Sequence, residues 1–425
     1  MFISLQKEIL WSTVVQILGK GLQIAIGIVT VKGVTTILGT ENYGLYGKIS
    51  EFSLFFATAA NLGIFGNTVR RLSLEPKNAQ LFGNALLLRL FTGMLFLGLG
   101  WIFALLTIED PIFLLGTLFF MSSLLLDLMT TVCDALLQAH YKMGRATLAL
   151  LLGRLTNLAV IGALSSTLNN TPEDFNLSLF LLGPLLAALV TLGLSFLFAR
   201  QILKPKWTLN KTLLKDLFLS SLPFGIINIL NNLYFRFLPG AFLVTVLSNS
   251  HFGIYNLNMH LSATLSILST FFMFSVLPKL EQSLKKNDLK AAKLLYQSAK
   301  RILGLAALAL VGLGTWLGPW ALSLVSNKDF LDPETWFFLP LLLILTGVSY
   351  FYDLALLTLF ALKDELWWMK REVLALSIGL LFGLSIVLLP HSTGLASVLI
   401  LTGAIVAEGS IAFLGMRRIK KHLSA

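Results

Sequence analysis

Six basic side chains lie inside otherwise apolar stretches of this 425-residue sequence: Lys20, Lys32, Lys48, Arg89, Arg154 and Arg236. A charge near the middle of a bilayer costs on the order of 2.5–3.5 kcal/mol on insertion scales, so each of them calls for a partner or a wet cavity. A guanidinium offers a planar donor fork matched to phosphate oxygens and an ammonium a point charge, so such a set suits an anionic, phosphate-bearing ligand. Lys20, flanked by Gln16 and Gln23, and Arg154 fall near the middle of their stretches. Arg89 sits about 12 Å into its own, at 1.5 Å per helical residue. Lys32 and Lys48 lie near stretch ends and can snorkel, and Lys48 is three residues from Glu51, close enough on a helix to neutralise it. Asn228, Asn232 and Arg236 recur every four residues, with Asn231 adjacent. Such a stripe could serve interhelical hydrogen bonds, worth about 0.6 kcal/mol each in membranes. The arginine on it favours amide and guanidinium donors for sugar hydroxyls and phosphate. The candidate substrate-binding residues are therefore Lys20, Arg89, Arg154, Arg236, Asn228 and Asn232.

The acids in the same stretches are Glu51, Asp127, Asp134, Asp353 and Glu408. Asp127 and Asp134 are seven apart, hence on one helix face, and could pair with Arg89 or Arg154. Glu51, Asp127, His260, Asp353 and Glu408 are the candidates for ion coupling, histidine because it titrates near neutral pH. One unit charge moved through 100 mV carries roughly 2.3 kcal/mol, enough to bias a cycle. No nucleophile constellation, metal-ligand spacing or Gly-rich phosphate loop is present, and neither a metal nor a cofactor is expected. The single cysteine, Cys133, allows no intrachain disulfide or thiolate metal site.

The elements that must position these residues follow from composition. Apolar residues make up 56% and charged residues 12%, about half the share of a soluble domain. This excludes an ordinary cytosolic enzyme, a disordered chain and a fibrous one. The net charge of +11 would suggest nucleic acid in a soluble protein, but surplus Lys and Arg also mark cytoplasmic loops, and no nucleic-acid partner is expected. Apolar windows fall at approximately 9–37, 43–68, 81–106, 111–139, 144–168, 177–200, 217–247, 252–278, 299–326, 334–361, 366–390 and 393–416. Lipid leaves no partner for unpaired backbone groups and nothing alternates as a barrel strand would, so all twelve are expected to be helices. The first is read as a retained span, longer than a signal-peptide core. The termini and the loops on their side hold 25 Lys and Arg, and the opposite loops hold only Lys328. Both termini are thus expected in the cytoplasm. The segment from Lys279 to Lys300 reads as a basic amphipathic helix between the eighth and ninth spans.

The sequence also repeats itself. Leu38-Gly39-Thr40-Glu41-Asn42-Tyr43-Gly44-Leu45-Tyr46 aligns without gaps on Leu247-Ser248-Asn249-Ser250-His251-Phe252-Gly253-Ile254-Tyr255, an offset of 209 residues that also puts Glu51 over His260. Each copy joins the first two helices of its half. The expected fold is all-α: twelve transmembrane helices in two six-helix lobes, 1–205 and 206–425, related by a pseudo-two-fold axis along the membrane normal.

Tyr43-Gly44-Leu45-Tyr46 running to Asn61-Leu62-Gly63-Ile64 and Arg70-Arg71, with the Phe252-Gly253-Ile254-Tyr255 echo, resembles the polysaccharide flippases of the Wzx type. These belong to the multidrug/oligosaccharidyl-lipid/polysaccharide (MOP) exporter superfamily. The resemblance implies a cationic cavity and transfer of undecaprenyl-pyrophosphate-linked oligosaccharide, such as an O-antigen repeat unit, to the outer leaflet of a bacterial inner membrane by alternating access. Partners would be that glycan lipid, membrane lipids and polysaccharide-assembly proteins. Relatives often carry an acid shortly after the arginine of the seventh helix. Here Arg236 is followed by Phe237-Leu238-Pro239-Gly240. Two alternatives remain. A multidrug/cation antiporter of the same superfamily would want an acid-rich site, whereas the first half buries five basic residues against three acids. An intramembrane glycosyltransferase or polymerase would want a large outer loop.

Overall fold

The computed structural model describes residues 2–167, 173–388 and 392–423. Among them every regular element is a helix: α1 (Phe2–Asn61), α2 (Ile64–Leu74), α3 (Ala79–Thr107), α4 (Pro111–Ala139), α5 (Met143–Thr167), α6 (Glu173–Ile202), α7 (Lys211–Asn232), α8 (Leu238–Val246), α9 (Asn249–Lys285), α10 (Leu289–Val325), α11 (Phe338–Ala361), α12 (Glu365–Leu388) and α13 (Thr393–His422). Ten helical stretches are long and apolar enough to cross a membrane. One of these, Leu18–Leu74, is broken at Gly39 and supplies two spans, and α12 completes the twelve. The chain is an all-α, multi-pass membrane protein.

Gly39 takes φ 67° and ψ −174°, a region essentially closed to residues with a Cβ, so α1 turns back on itself there through one residue. The corresponding turn of the second half is Ser248, whose Oγ accepts from the His251 N–H at 3.3 Å and caps α9. The repeat read in the sequence is therefore a repeat of structure. Tyr43 stacks on Tyr46 at 6.0 Å, and Tyr46 meets Phe120 of α4 edge-on. Phe252 lies 5.6 Å from Tyr255, which in turn meets Phe338 of α11. Each half thus fastens its second span to its fourth with the same aromatic pair.

The chain divides into two compact units, Met1–Ile229 and Leu230–Ala425. In the first, α4 packs on α1, α3 and α6, and α5 lies against α1 and α6. The amino-terminal part of α7 belongs here for a specific reason. Asn67 of α2 donates to the Leu217 carbonyl at 3.2 Å and to Ser220 and Ser221 at 2.7 and 2.9 Å, and Arg71 pairs with Asp216 at 2.7 Å. The Arg71 guanidinium holds the exposed Asp216 carboxyl below the usual carboxylate range. Gly225 closes the contact, since a Cβ there would lie 2.5 Å from the Leu62 backbone. In the second unit, α11 packs against α9, α10 and α13.

Two local features differ from expectation. The basic segment between α9 and α10 is not a separate amphipathic helix. Its residues extend α9 to Lys285 and begin α10 at Leu289, with Asp288 capping α10 through a 2.9 Å bond from the Ala291 N–H. Each of these helices has 37 residues, about 55 Å at 1.5 Å per residue and well beyond the roughly 30 Å hydrocarbon core, so their basic ends form a projecting hairpin. The seventh span also departs from the regular four-residue stripe read for Asn228, Asn232 and Arg236: Pro239 follows a π-helical turn, Leu233–Phe237, in which the Leu238 N–H bonds to the Leu233 carbonyl. Proline cannot continue the ladder, and the widened turn absorbs the mismatch.

Candidate functional site

In the first unit the site is assembled by close helix packing. Along α1, Gly19, Gly27 and Gly33 face α5: Thr147 occupies the space a Cβ at Gly19 would take, Ile161 would lie 3.0 Å from one at Gly33, and the Arg154 guanidinium would be in van der Waals contact at 3.7 Å with one at Gly27. This seam sets Arg154 against α1 and within electrostatic reach of Lys20, whose positive charge it opposes. Asp127 of α4 attracts Arg154 from the third side. Arg154 and Asp127 lie about 17 and 18 Å along their helices from the basic ends, so their depths match. Lys20, Arg154 and Asp127 are all exposed in the isolated chain. Among the described residues, neither cation is held by a hydrogen bond or a close ion pair. Asp134 is engaged by Ser195 of α6, which donates to it at 3.1 Å. The arrangement leaves two like charges beside one carboxylate, a net positive patch partway along apolar helices.

Arg89 requires a correction. It is fully buried, and its donors are spent within the protein. One guanidinium nitrogen donates to the Asn61 carbonyl at 2.7 Å and, more weakly, to Ala60 at 3.4 Å. The other reaches Asn61 Oδ1 at 2.9 Å and Thr131 Oγ1 at 3.0 Å, while Nε donates to the Leu128 carbonyl at 3.2 Å. The reason lies in the second span, which ends at Leu62 and Gly63 with φ of 45° and 69°. A helix end leaves carbonyls without intrahelical donors, and Arg89 supplies them. It is a helix cap built from a side chain and does not present its charge to a ligand. Neither Asp127 nor Asp134 pairs with it.

On the seventh span, Asn228 and Asn232 lie in α7 and Arg236 in the π-helical turn, whose wider winding interrupts the expected four-residue register. Asn228 is exposed, and Asn232 and Arg236 are half-buried. Asn231 points elsewhere, donating to Tyr234 Oη at 3.0 Å. Of the proposed coupling groups, Glu51 is buried and its repeat equivalent His260 is half-buried. Asp353 accepts from Ser269 at 2.6 Å and Thr270 at 2.9 Å, both on α9. Glu408 is 1% exposed and faces a residue the sequence reading passed over, Glu372 of α12, which is 0% exposed. Glu372 Oε1 accepts from Tyr352 Oη at 2.5 Å and from Trp368 Nε1 at 2.6 Å. It was hidden in the run Lys370-Arg371-Glu372, which reads as a loop charge cluster. The signal was Trp368 four residues earlier, an indole donor on the same helix face.

At the end of α13 that carries the basic residues, Arg418 and His422 both donate to Asp364 Oδ2, at 2.7 and 2.9 Å. Burial pushes the Asp364 carboxyl up, but these hydrogen bonds and the adjoining charges outweigh it and hold it below its ordinary value.

Residues 5–284 match the family described as polysaccharide biosynthesis protein. No curated relative matches the sequence. Among solved structures, the chain is similar to an inward-facing multidrug resistance MATE family transporter of the MOP superfamily, at TM-score 0.72 and 15% identity over 95% of this chain and 94% of that one. An outward-facing transporter of the same description matches at TM-score 0.67 and 15% identity, over 98% and 96%. A MOP superfamily transporter from Pyrococcus furiosus, described as having a binding pocket of reverse polarity that suggests a different function, also matches at 0.67 and 15%, over 99% and 96%. A match over well more than half of the sequence, on a twelve-span chain with this repeat, makes it a member of the polysaccharide biosynthesis protein family with the fold of MOP-superfamily transporters.

Proposed function

We propose that this transporter is a flippase for a lipid-linked oligosaccharide, carrying an undecaprenyl-pyrophosphate-linked repeat unit from the cytoplasmic to the outer leaflet of a bacterial inner membrane by alternating access. One observation carries the reading: Lys20 and Arg154 oppose each other partway along their helices in the first unit, with Asp127 alone among the described residues to offset them. Two like charges held so in an apolar surround are stabilised by an anion lying between them, and a pyrophosphate presents oxygens to both. Arg236, Asn228 and Asn232 are the proposed contacts for further phosphate oxygens and sugar hydroxyls. Arg89 is left out of the set. No bond is made or broken, so the chain acts as a transporter and not an enzyme. In this proposal both termini lie in the cytoplasm, an orientation the loop charges support, and glycan-assembly proteins on either side of the membrane would supply and receive the lipid.

The multidrug exporter reading draws on the fold of the structural neighbours, but a pocket for cationic drugs calls for an excess of acid, and here the balance is reversed. The deciding experiment is leaflet transfer of a polyprenyl-pyrophosphate oligosaccharide in vesicles containing the purified protein. Neutralising both charges (Lys20→Gln with Arg154→Gln) should lower the transfer rate at least tenfold with insertion unchanged. Transfer at the wild-type rate by the double variant would reject the assignment.

A further inference from the structure

The second unit carries a long apolar groove of about 570 Å³, with α9 and α10 as its walls and α11 as its floor. Leu261, Leu265 and Phe272 line one wall, and Ile302, Ala309 and Leu313 the other. The floor is tied to both walls. Tyr350 Oη donates to the Leu265 carbonyl at 2.9 Å, and Ser269 of α9 donates to Asp353 of α11 at 2.6 Å. On the other side Gly314 and Gly318 let α10 close on Leu343 and Leu339. These contacts shut the base of the groove along its length.

That length is informative. From Ile302 to Ala321 the groove follows α10 for about 28 Å at 1.5 Å per residue, nearly the roughly 30 Å of a hydrocarbon core. Its two ends agree with such a span. A smaller cavity of about 210 Å³ adjoins it at Leu339 and is bounded by Trp336. Trp336, Trp316 and Trp320 are all exposed, as tryptophans are at a membrane–water interface. At the opposite end Lys300 and Arg301, both exposed, directly precede Ile302, and Lys279 follows Phe272 by about two turns. The Trp-rimmed end has Lys328, beside Asp329 and Asp332.

Inside a bilayer an apolar groove is filled by hydrocarbon. A phospholipid chain belongs to one leaflet and reaches about half the thickness, roughly 15 Å. Two such chains would have to meet end to end, yet the surplus of cations lies at one end only. One chain longer than a leaflet fills the whole groove and needs a single anionic head. We propose that this groove docks a single polyprenyl chain, its phosphate against Lys300 and Arg301, as a second lipid site apart from Lys20 and Arg154. The choice of an isoprenoid among long apolar chains rests on the flippase reading. The demand for one long chain with one anionic end comes from the groove itself.

The test is photocrosslinking of the full-length protein in phosphatidylcholine nanodiscs containing undecaprenyl phosphate. A benzophenone amino acid replaces either Leu313, which lines the groove, or Leu308, which is exposed on the same helix outside it, and adducts are identified by mass. The polyprenyl adduct should be at least tenfold more abundant at position 313 than at 308 and should be lost when Ala309→Phe fills the groove. Farnesyl phosphate, too short to leave one leaflet, should show no such preference. Equal adducts at the two positions, or an equal preference for farnesyl phosphate, would mean ordinary surrounding lipid and overturns the proposal. An adduct to a second protein at 313 would mean a partner helix and also overturns it. Should Ala309→Phe not fold, Lys300→Gln with Arg301→Gln decides. The 313 adduct should fall at least fivefold for undecaprenyl phosphate and stay unchanged for undecaprenol, and an undiminished phosphate adduct overturns the placement. Leaflet transfer indifferent to Lys20→Gln with Arg154→Gln would sink the flippase reading and leave the 313 adduct in place, so the two can fail separately.

Discussion

Replacing Arg89 separates a structural cation from a ligand-binding one. In Arg89→Met the side chain keeps its length and loses every donor, which strips the Ala60 and Asn61 carbonyls of the guanidinium. A buried polar group left unsatisfied costs about 1–3 kcal/mol in soluble proteins, while single polar contacts in membranes average nearer 0.6. Taking roughly 1.5 kcal/mol for each carbonyl gives about 3 kcal/mol, or on the order of a hundredfold in the opening equilibrium. The chain carries its own reporter. Cys133 is the single cysteine, is 0% exposed, and lies on α4 two residues from Thr131, which Arg89 also grips. A fluorogenic maleimide should therefore label Arg89→Met about a hundredfold faster than wild type at a fixed temperature, when reclosing outpaces the reagent. Labelling at the wild-type rate, combined with lost leaflet transfer, would show that Arg89 touches substrate and that the capping argument is wrong.

Gly39→Ala should cost about 1–3 kcal/mol through backbone strain alone, because nothing lies within 4 Å of the added methyl. Gly98→Ala, equally uncrowded but helical, should not destabilise the chain, and equal Cys133 labelling in both variants would refute the strain argument. The Asp364 clasp has a definite pH sign. A carboxyl held below its ordinary value contributes stability that is present above the unfolded value, near 4, and is lost as pH falls through the folded one. The end of α13 should therefore loosen in acid below about pH 4, seen as faster proteolysis after Lys420 or Lys421, and Asp364→Asn should show that loosening at neutral pH.

Span number and the internal repeat were legible because both depend on long-range averages: twenty apolar residues announce a helix, and the aromatic pair of each half falls at the same place. The roles of individual charges were not. Lys20 and Arg89 look alike in a hydropathy trace, yet one opposes a second cation and the other caps a broken helix. The difference was set by the backbone at Leu62 and Gly63, 26 residues and more away along the chain from Arg89. Glu372 was masked by two basic neighbours that point away from it: Arg371 lies over the Trp367 ring at 5.5 Å, while Glu372 faces the core. The π-helical turn left no mark in composition, since one extra residue in a turn changes register and not hydropathy.

The single-residue reversal at Gly39 leaves the first two spans joined without a connecting loop. A protease cleft needs several extended residues to grip, and an antibody needs a stretch of chain to enfold. Neither finds one there. An epitope tag or cleavage site meant to report on that face of the membrane belongs instead between α10 and α11, where residues 326–337 run as turns and short 3-10 segments.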